Sequence, residues 1–313
     1  MSNLPKIYTR SELNVILLPK LNQGIQFGIL DGNKELCHFS GGVPSQISWS
    51  NNSTKVRDAA ERLDLIQIST EFYPSSDSRQ QQDAGIKFDN QRDDGWSTWF
   101  RKITEGSHLL PDTNILLKRT FTSIIFPRFM LRRHTLALPF NIVIPRLSIL
   151  ELENLANSGR ASKGECFMAF NEVRLLKEAG AFLTDPLHAE ELTAFYQVAA
   201  KQLADAFLRE EIRKYGSSKR LRAVFLTRDM ISALTANSED LDAIYMAPKF
   251  PKECSLDDIG IDEIRELIVE LATDCGKVTL RWNDGTNEEI EGVWSGKNWY
   301  DYYKRRVQVT LSN

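Results

Sequence analysis

Between about residues 107 and 250, apolar runs of strand length alternate with amphipathic stretches of helix length. The pattern predicts a strand over 108–111, a helix over 114–126 and a strand over 141–145. Helices follow over 147–157, 161–179 and 187–214. A strand over 222–227, a helix over 229–236 and a short strand Ala243-Ile244-Tyr245-Met246 close the series. Strands separated by helices imply right-handed crossovers and a parallel sheet, so this segment reads as α/β.

The flanks follow a different rhythm. Val15-Ile16-Leu17-Leu18 and Ile25–Leu30 read as short strands, the second ending in an Asp31-Gly32 turn. Residues 74–95 are polar and rich in Gln and Asp, which marks a loop or linker, and Trp96 to Thr104 reads as an amphipathic helix. After residue 250, Leu256 to Leu271 has helical apolar spacing. Lys277–Trp282 then alternates as a strand into Asn283-Asp284-Gly285, a strong hairpin turn. Further strands are expected over 289–294 and 306–311. The expected organisation is an N-terminal α+β region (1–106), a central α/β domain (107–250) and a small C-terminal helix-plus-β appendage (251–313).

Composition narrows the class. With 42% hydrophobic and 26% charged residues the chain reads as globular, and no run of 18 apolar residues offers a membrane span. The first residues lack the charged-then-apolar pattern of a secretion signal, so a cytoplasmic protein is expected. Four separated cysteines without a Cys-x-x-Cys pair argue against structural zinc or a disulfide framework. The central segment carries 19 basic and 16 acidic residues, a balance that permits nucleic-acid binding without demanding it.

Four acids fall where predicted strands stop or helices face the sheet edge. Asp112 follows the first central strand, Glu151 lies on the helix after Asn141-Ile142-Val143-Ile144-Pro145, and Asp205 sits in the long helix. Asp229 ends Thr227-Arg228-Asp229. Asp112 and Asp229 each have two roles open, helix cap or metal ligand. Glu153 lies about 200° around the helix from Glu151, which makes Glu151 the better placed of the two.

Pro111-Asp112-Thr113-Asn114 after a strand, Glu151 beyond Ile144-Pro145, a helical Asp205 and a strand-terminal Thr227-Arg228-Asp229 together resemble the PIN-domain family of metal-dependent nucleases. The resemblance covers about 140 residues. It implies a three-layer, Rossmann-like domain with a parallel central sheet, and an acidic pocket binding Mg²⁺ or Mn²⁺. It also implies RNA as substrate, single-stranded or structured, cleaved as by an endoribonuclease. Asp112, Glu151, Asp205 and Asp229 are then the catalytic and metal-binding set, with Asp185 or Glu190 as replacements for Asp205. Asn114 and Thr227 would orient the acids. Such carboxylates repel one another until a hard cation joins them, and that cation activates water for in-line displacement at phosphorus.

Basic residues Arg132 and Arg133, and a second group containing Arg213, Lys214, Lys219 and Arg220, could contact a phosphate backbone, as could Arg228. Each group reads first as a solvated helix end or loop. Aromatic residues mixed with Lys304-Arg305-Arg306 near the end could stack on unpaired bases or fill a β core. Two other readings stand beside the nuclease: a catalytically silent PIN-like scaffold for RNA or protein, and a toxin-type nuclease. A homodimer is compatible with all three.

Overall fold

The computed structural model describes the chain apart from residues 1–5, 10, 51–52, 64, 67, 77–86, 89–93, 130–139, 160, 162, 189, 191, 195–200, 249–254, 293–306 and 313. The fold is mixed α/β and divides into two compact units. One unit joins Met1–Ile66, Ser162–Phe167 and Phe250–Asn313, and the other joins Gln67–Ala161 and Met168–Lys249.

The first unit is built on strands β1 (Lys6–Tyr8), β2 (Phe27–Asp31), β3 (Lys34–Phe39) and β4 (Ser45–Trp49) from the start of the chain. Its other strands, β12 (Ser255–Ile259), β13 (Lys277–Trp282), β14 (Asn287–Gly292) and β15 (Val307–Ser312), come from the end. Among the described residues they form one antiparallel sheet in the order β1-β15-β14-β13-β2-β3-β4-β12. Period-two alternation sets its buried face: Ser45, Ile47 and Trp49 are buried while Gln46 and Ser48 are exposed. Helices Asn14–Leu21, Thr54–Arg62 and Ile261–Cys275 contribute Leu17, Val56, Ile264 and Ile268 to the core.

Three expectations change here. Val15–Leu18 is helical, because Leu13, Leu17 and Leu21 repeat at i, i+4 and i+8 and bury one stripe while Val15 stays exposed. The helix expected from Leu256 starts only at Ile261. Ser255 and Leu256 instead pair with Ser48 and Ile47, and Gly260 precedes a first turn whose Asp262 and Glu263 suit the positive helix end. Finally, the expected separate N- and C-terminal regions share one sheet, since cross-strand partners far apart in sequence complete each other's hydrogen bonds. The Asn283-Asp284-Gly285 turn does join β13 to β14, with Gly285 at φ +88°.

The second unit carries β5 (Ile68–Tyr73), β6 (Lys87–Phe88), β7 (Ser107–Pro111), β8 (Asn141–Ile144), β9 (Phe182–Leu183), β10 (Arg222–Thr227) and β11 (Asp242–Pro248). Among the described residues their order is β6-β5-β11-β10-β7-β8-β9. Strands β11, β10, β7, β8 and β9 run parallel, and β5 and β6 add an antiparallel edge. Residues 68–73 and 87–88 thus belong to the central sheet, so the expected boundary at 106 moves toward residue 67.

Alternate residues of the parallel strands feed two apolar clusters. Leu109, Ile142, Val224 and Ile244 join Phe100 and Val173, while Leu110, Val143, Phe225 and Ala243 join Leu208, Ile212 and Ala233. Helices Asp94–Thr104 and Lys163–Glu178 supply the first cluster, and Lys201–Lys219 and Met230–Ser238 the second. Each large side chain so buried stabilises by about 1.5–3 kcal/mol.

The helix expected over 114–126 is interrupted. Thr113–Leu117 is α-helical, Arg119 takes φ +54°, and Phe121–Ile125 forms a π turn. Buried Glu172 accepts from the Thr122 backbone N–H at 3.0 Å and anchors that turn. Of the long helix expected over 187–214, Glu190, Leu192–Ala194 and Lys201–Lys219 are helical, the last running past the expected end, and residues 195–200 lie outside the described residues.

Candidate functional site at the carboxyl edge of the central sheet

Strand order in the second unit reverses between β10 and β7: the chain moves outward through β8 and β9, then returns to the other side of β7 for β10 and β11. At such a reversal the loops beyond two neighbouring strands diverge and leave a crevice, where open α/β sheets bind ligands. Asp112 follows β7 and Thr227 ends β10, so both lie at this point.

Asp112 is 6% exposed and does two jobs. It caps the Thr113–Leu117 helix, its Oδ1 accepting from the Asn114 backbone N–H. Its Oδ2 accepts from the Thr227 hydroxyl at 2.6 Å, while its own N–H donates to the Leu226 carbonyl at 2.9 Å. The Thr227 oxygen in turn accepts from the Asp229 backbone N–H at 3.1 Å. One hydroxyl therefore links the ends of β7 and β10.

The Asp112 carboxyl is pushed up to about 7. Burial is the largest cause, the hydrogen bonds from Thr227 and Asn114 pull the other way, and the negative charges of Glu151 and Asp205 push further up. Two of the other three expected acids therefore act on Asp112. Glu151 is half-buried and accepts from the Thr113 hydroxyl at 2.6 Å, whereas Glu153 is exposed on the far side of its helix. Asp205 sits partly buried near the start of the Lys201–Lys219 helix.

The fourth acid is placed differently. Asp229 is exposed and caps the Met230–Ser238 helix, its Oδ1 accepting from the backbone N–H groups of Ile231 at 2.8 Å and Ser232 at 3.1 Å. It reaches the Asp112 network through its backbone. Among the described residues, no three His, Cys, Asp or Glu side chains group closely enough to hold a metal ion.

Of the replacements considered for Asp205, Asp185 pairs with Lys219 at 3.0 Å and Glu190 is exposed. Asn114 contributes its backbone N–H, and its residue is exposed; Thr227 donates its side-chain hydroxyl to Asp112. Two residues escaped the sequence reading. Thr113 holds Glu151, and buried Ser148 donates to the Pro111 carbonyl at 3.1 Å, tying the Arg146–Ser158 helix to the end of β7. Ser148 and Glu151 are three residues apart on one helix face, a spacing that could have flagged the pair.

Among the basic positions, Arg132 and Arg133 lie outside the described residues, as do the aromatic and basic residues 294–306. Lys219 is held by Asp185, Arg220 turns the chain into β10 at φ +53°, and Arg228 lies close enough to Tyr245 for its charge to oppose the rise of that hydroxyl's pKa. No described helix is long and apolar enough to cross a membrane.

The chain is similar to a domain of a functionally unknown protein from Methanocaldococcus jannaschii DSM 2661, at 22% identity over 44% of this chain and 90% of that one, with a TM-score of 0.33. No family model and no curated protein matches the chain.

Proposed function

We propose that the second unit is a PIN-type, three-layer domain acting as a metal-dependent endoribonuclease. The observation that carries this reading is Asp112: a buried carboxyl at the strand-order reversal, raised to about 7, with Glu151 and Asp205 adding to the rise. A structural acid this deep in a fold is ordinarily met by a cation, whereas here the charges that shape it are further acids.

The donor set suits Mg²⁺ or Mn²⁺. All candidate ligands are carboxylate oxygens, and Mg²⁺ needs only one or two of them, completing its shell with water and substrate oxygens. Asp112 and Glu151 would hold the ion, with Asp205 close enough to add charge and Asp229 at the exposed rim. A bound divalent cation supplies charge neutralisation, a more acidic water and stabilisation of a phosphate in displacement. The chain's own residues do the positioning. Thr227 and the Asn114 amide orient the Asp112 oxygens, Thr113 orients Glu151, and Ser148 fixes the helix that carries Glu151. Arg228, next to Asp229 in the chain, would meet a phosphate.

The test is cleavage of single-stranded RNA by the purified chain with Mn²⁺, with and without chelator, beside Asp112→Asn. Cleavage that vanishes with either change is expected; equal cleavage by Asp112→Asn overturns the reading. A second reading, a catalytically silent binding module of the same fold, is favoured by the capping roles of Asp112 and Asp229. Calorimetric titration with Mn²⁺ separates the two, since a silent module binds none at millimolar concentration.

A further inference from the structure

A cavity of about 260 Å³ lies in the second unit, between one face of the Lys201–Lys219 helix and the segment Thr184–His188 that follows β9. The proposed nuclease chemistry does not use it. Its wall on the helix carries Phe207, Lys214, Tyr215 and Ser218, and Leu147 and Leu187 face them. Below the roughly 300–1,000 Å³ of drug-sized sites, it suits one ring system with a short substituent.

The walls are fixed before any ligand arrives. Buried Glu211 accepts from the backbone N–H groups of Arg146 at 2.8 Å and Leu147 at 3.1 Å, and from the Thr184 hydroxyl. The Arg146 guanidinium donates to the Thr184 carbonyl at 3.0 Å. Tyr215 is tethered through its hydroxyl, 2.8 Å from His108 Nδ1. Three elements are locked around a hollow.

The lining is apolar in its body and mixed at its edge. Leu147, Leu187, Phe207 and Tyr215 offer flat or aliphatic surfaces, on which a planar ring gains stacking and burial. Asp185 and Glu210 offer acceptors, while Lys214 and His188 offer donors. The rim charges largely balance, since Asp185 pairs with Lys219 and Glu210 with Arg213. A ring with apolar faces and both donors and acceptors on its edge is the chemistry of a nucleobase.

We infer that this cavity binds a single nucleobase, carried either by a free nucleotide or by an unstacked residue of an RNA strand. Only the RNA source rests on the nuclease reading. It is geometrically open, because Asp205 and Lys214 lie on the same helix, about 13–14 Å apart along its axis at ~1.5 Å per residue. A strand engaged at Asp112 could therefore place a neighbouring base in the cavity.

The test titrates adenosine, AMP and hexaadenylate RNA separately into the full-length Asp112→Asn chain, followed by backbone amide shifts. Adenosine and AMP are expected to move Thr184, Leu187 and Tyr215 with affinities within about threefold of each other, because the ring carries the binding. Ser218→Trp, which fills the cavity from an exposed helix position, should weaken both by about tenfold or more. Phe207→Leu, which keeps apolar bulk but removes the ring, should also weaken them, with the melting temperature of each variant reporting intact folding. Tighter binding of hexaadenylate at the same amides, lost in Ser218→Trp, assigns the site to RNA. Binding of AMP with the same amides unmoved by hexaadenylate assigns it to a free nucleotide. Unmoved amides with adenosine and AMP, or affinities indifferent to Ser218→Trp, overturn the inference. RNA cleavage by the wild-type chain is scored apart, so failure of the nuclease reading leaves the adenosine result standing.

Discussion

Both units bury carboxylates, and they treat them in opposite ways. In the first unit Arg62 meets Glu270 at 3.0 Å and also bonds Asp274, all three almost fully buried between the Thr54–Arg62 and Ile261–Cys275 helices. Asp274 is raised to about 6 by burial, but the guanidinium pulls it back down. In the second unit Asp112 is raised to about 7, and the charges acting on it are more acids. The first arrangement locks two helices together, and the second sets a buried carboxyl among further acids. That contrast, rather than acidity itself, separates a packing network from a candidate metal site.

The largest effect expected concerns activity. If the Asp112 cluster is a catalytic centre, Asp112→Asn lowers RNA cleavage by about 10³-fold or more, a loss of roughly 4 kcal/mol in transition-state stabilisation, while the chain stays folded. Retained cleavage would return Asp112 to the class of helix caps. Truncating the cation of the other network should do the reverse. Arg62→Ala leaves Glu270 and Asp274 buried without the guanidinium between them, and the expected loss is about 3–5 kcal/mol of stability. A shift in the denaturant midpoint reads it, and a change under ~1 kcal/mol would show that the network is dispensable.

Stability against pH sharpens the contrast further. The folded value of Asp112, about 7, lies above its ordinary value of 3.8, so the folded chain holds this proton more tightly than the unfolded chain. Its contribution to stability therefore falls as pH rises from about 4 to 7 and is level above that. Asp112→Asn keeps a capping side chain and removes the charge. It should stabilise the metal-free chain by about 1–3 kcal/mol at pH 8, with the gain fading toward pH 4. Thermal melts across that range check the sign, and a variant less stable at pH 8 would contradict it. Millimolar Mn²⁺ should stabilise the wild type and leave Asp112→Asn unmoved, the gain reaching about 2.7 kcal/mol at a hundred times Kd. The smallest change expected comes from Thr227→Val. Losing a hydrogen bond to the ionised Asp112 should cost on the order of 1 kcal/mol and move the carboxyl titration upward, visible by carbon-13 NMR.

Much of the second unit was legible from pattern alone. The strands at 107–111, 141–144 and 222–227 and the helices Arg146–Ser158, Lys163–Glu178 and Met230–Ser238 fall within a residue or two of expectation, because strands buried on both faces read as short continuous apolar runs. The interruption at Arg119 was not legible, since nothing local marks a residue forced to positive φ where buried Glu172 anchors the next turn. In the first unit Val15–Leu18 misled, because four apolar residues fit a strand or a buried helix turn equally. Among the acids, Asp112 and Glu151 stood out by position, and the exposure of Glu153 follows from helical geometry. Thr113 was hidden, as one hydroxyl among many carries no signal until its partner is known.

By itself the sequence determined most of the strands and helices in the central α/β run, and which acids sit at their ends. Those properties depend on residues within a few positions of one another. Only the tertiary structure decided that the two ends of the chain share a sheet, and that β10 lies beside β7. It alone brings Thr227 to Asp112 and lets Glu151 and Asp205 act on the same carboxyl, while leaving Asp229 at the rim as a cap. The reason is one of range: burial and carboxylate repulsion depend on neighbours in space, and here those neighbours lie up to 115 residues away along the chain.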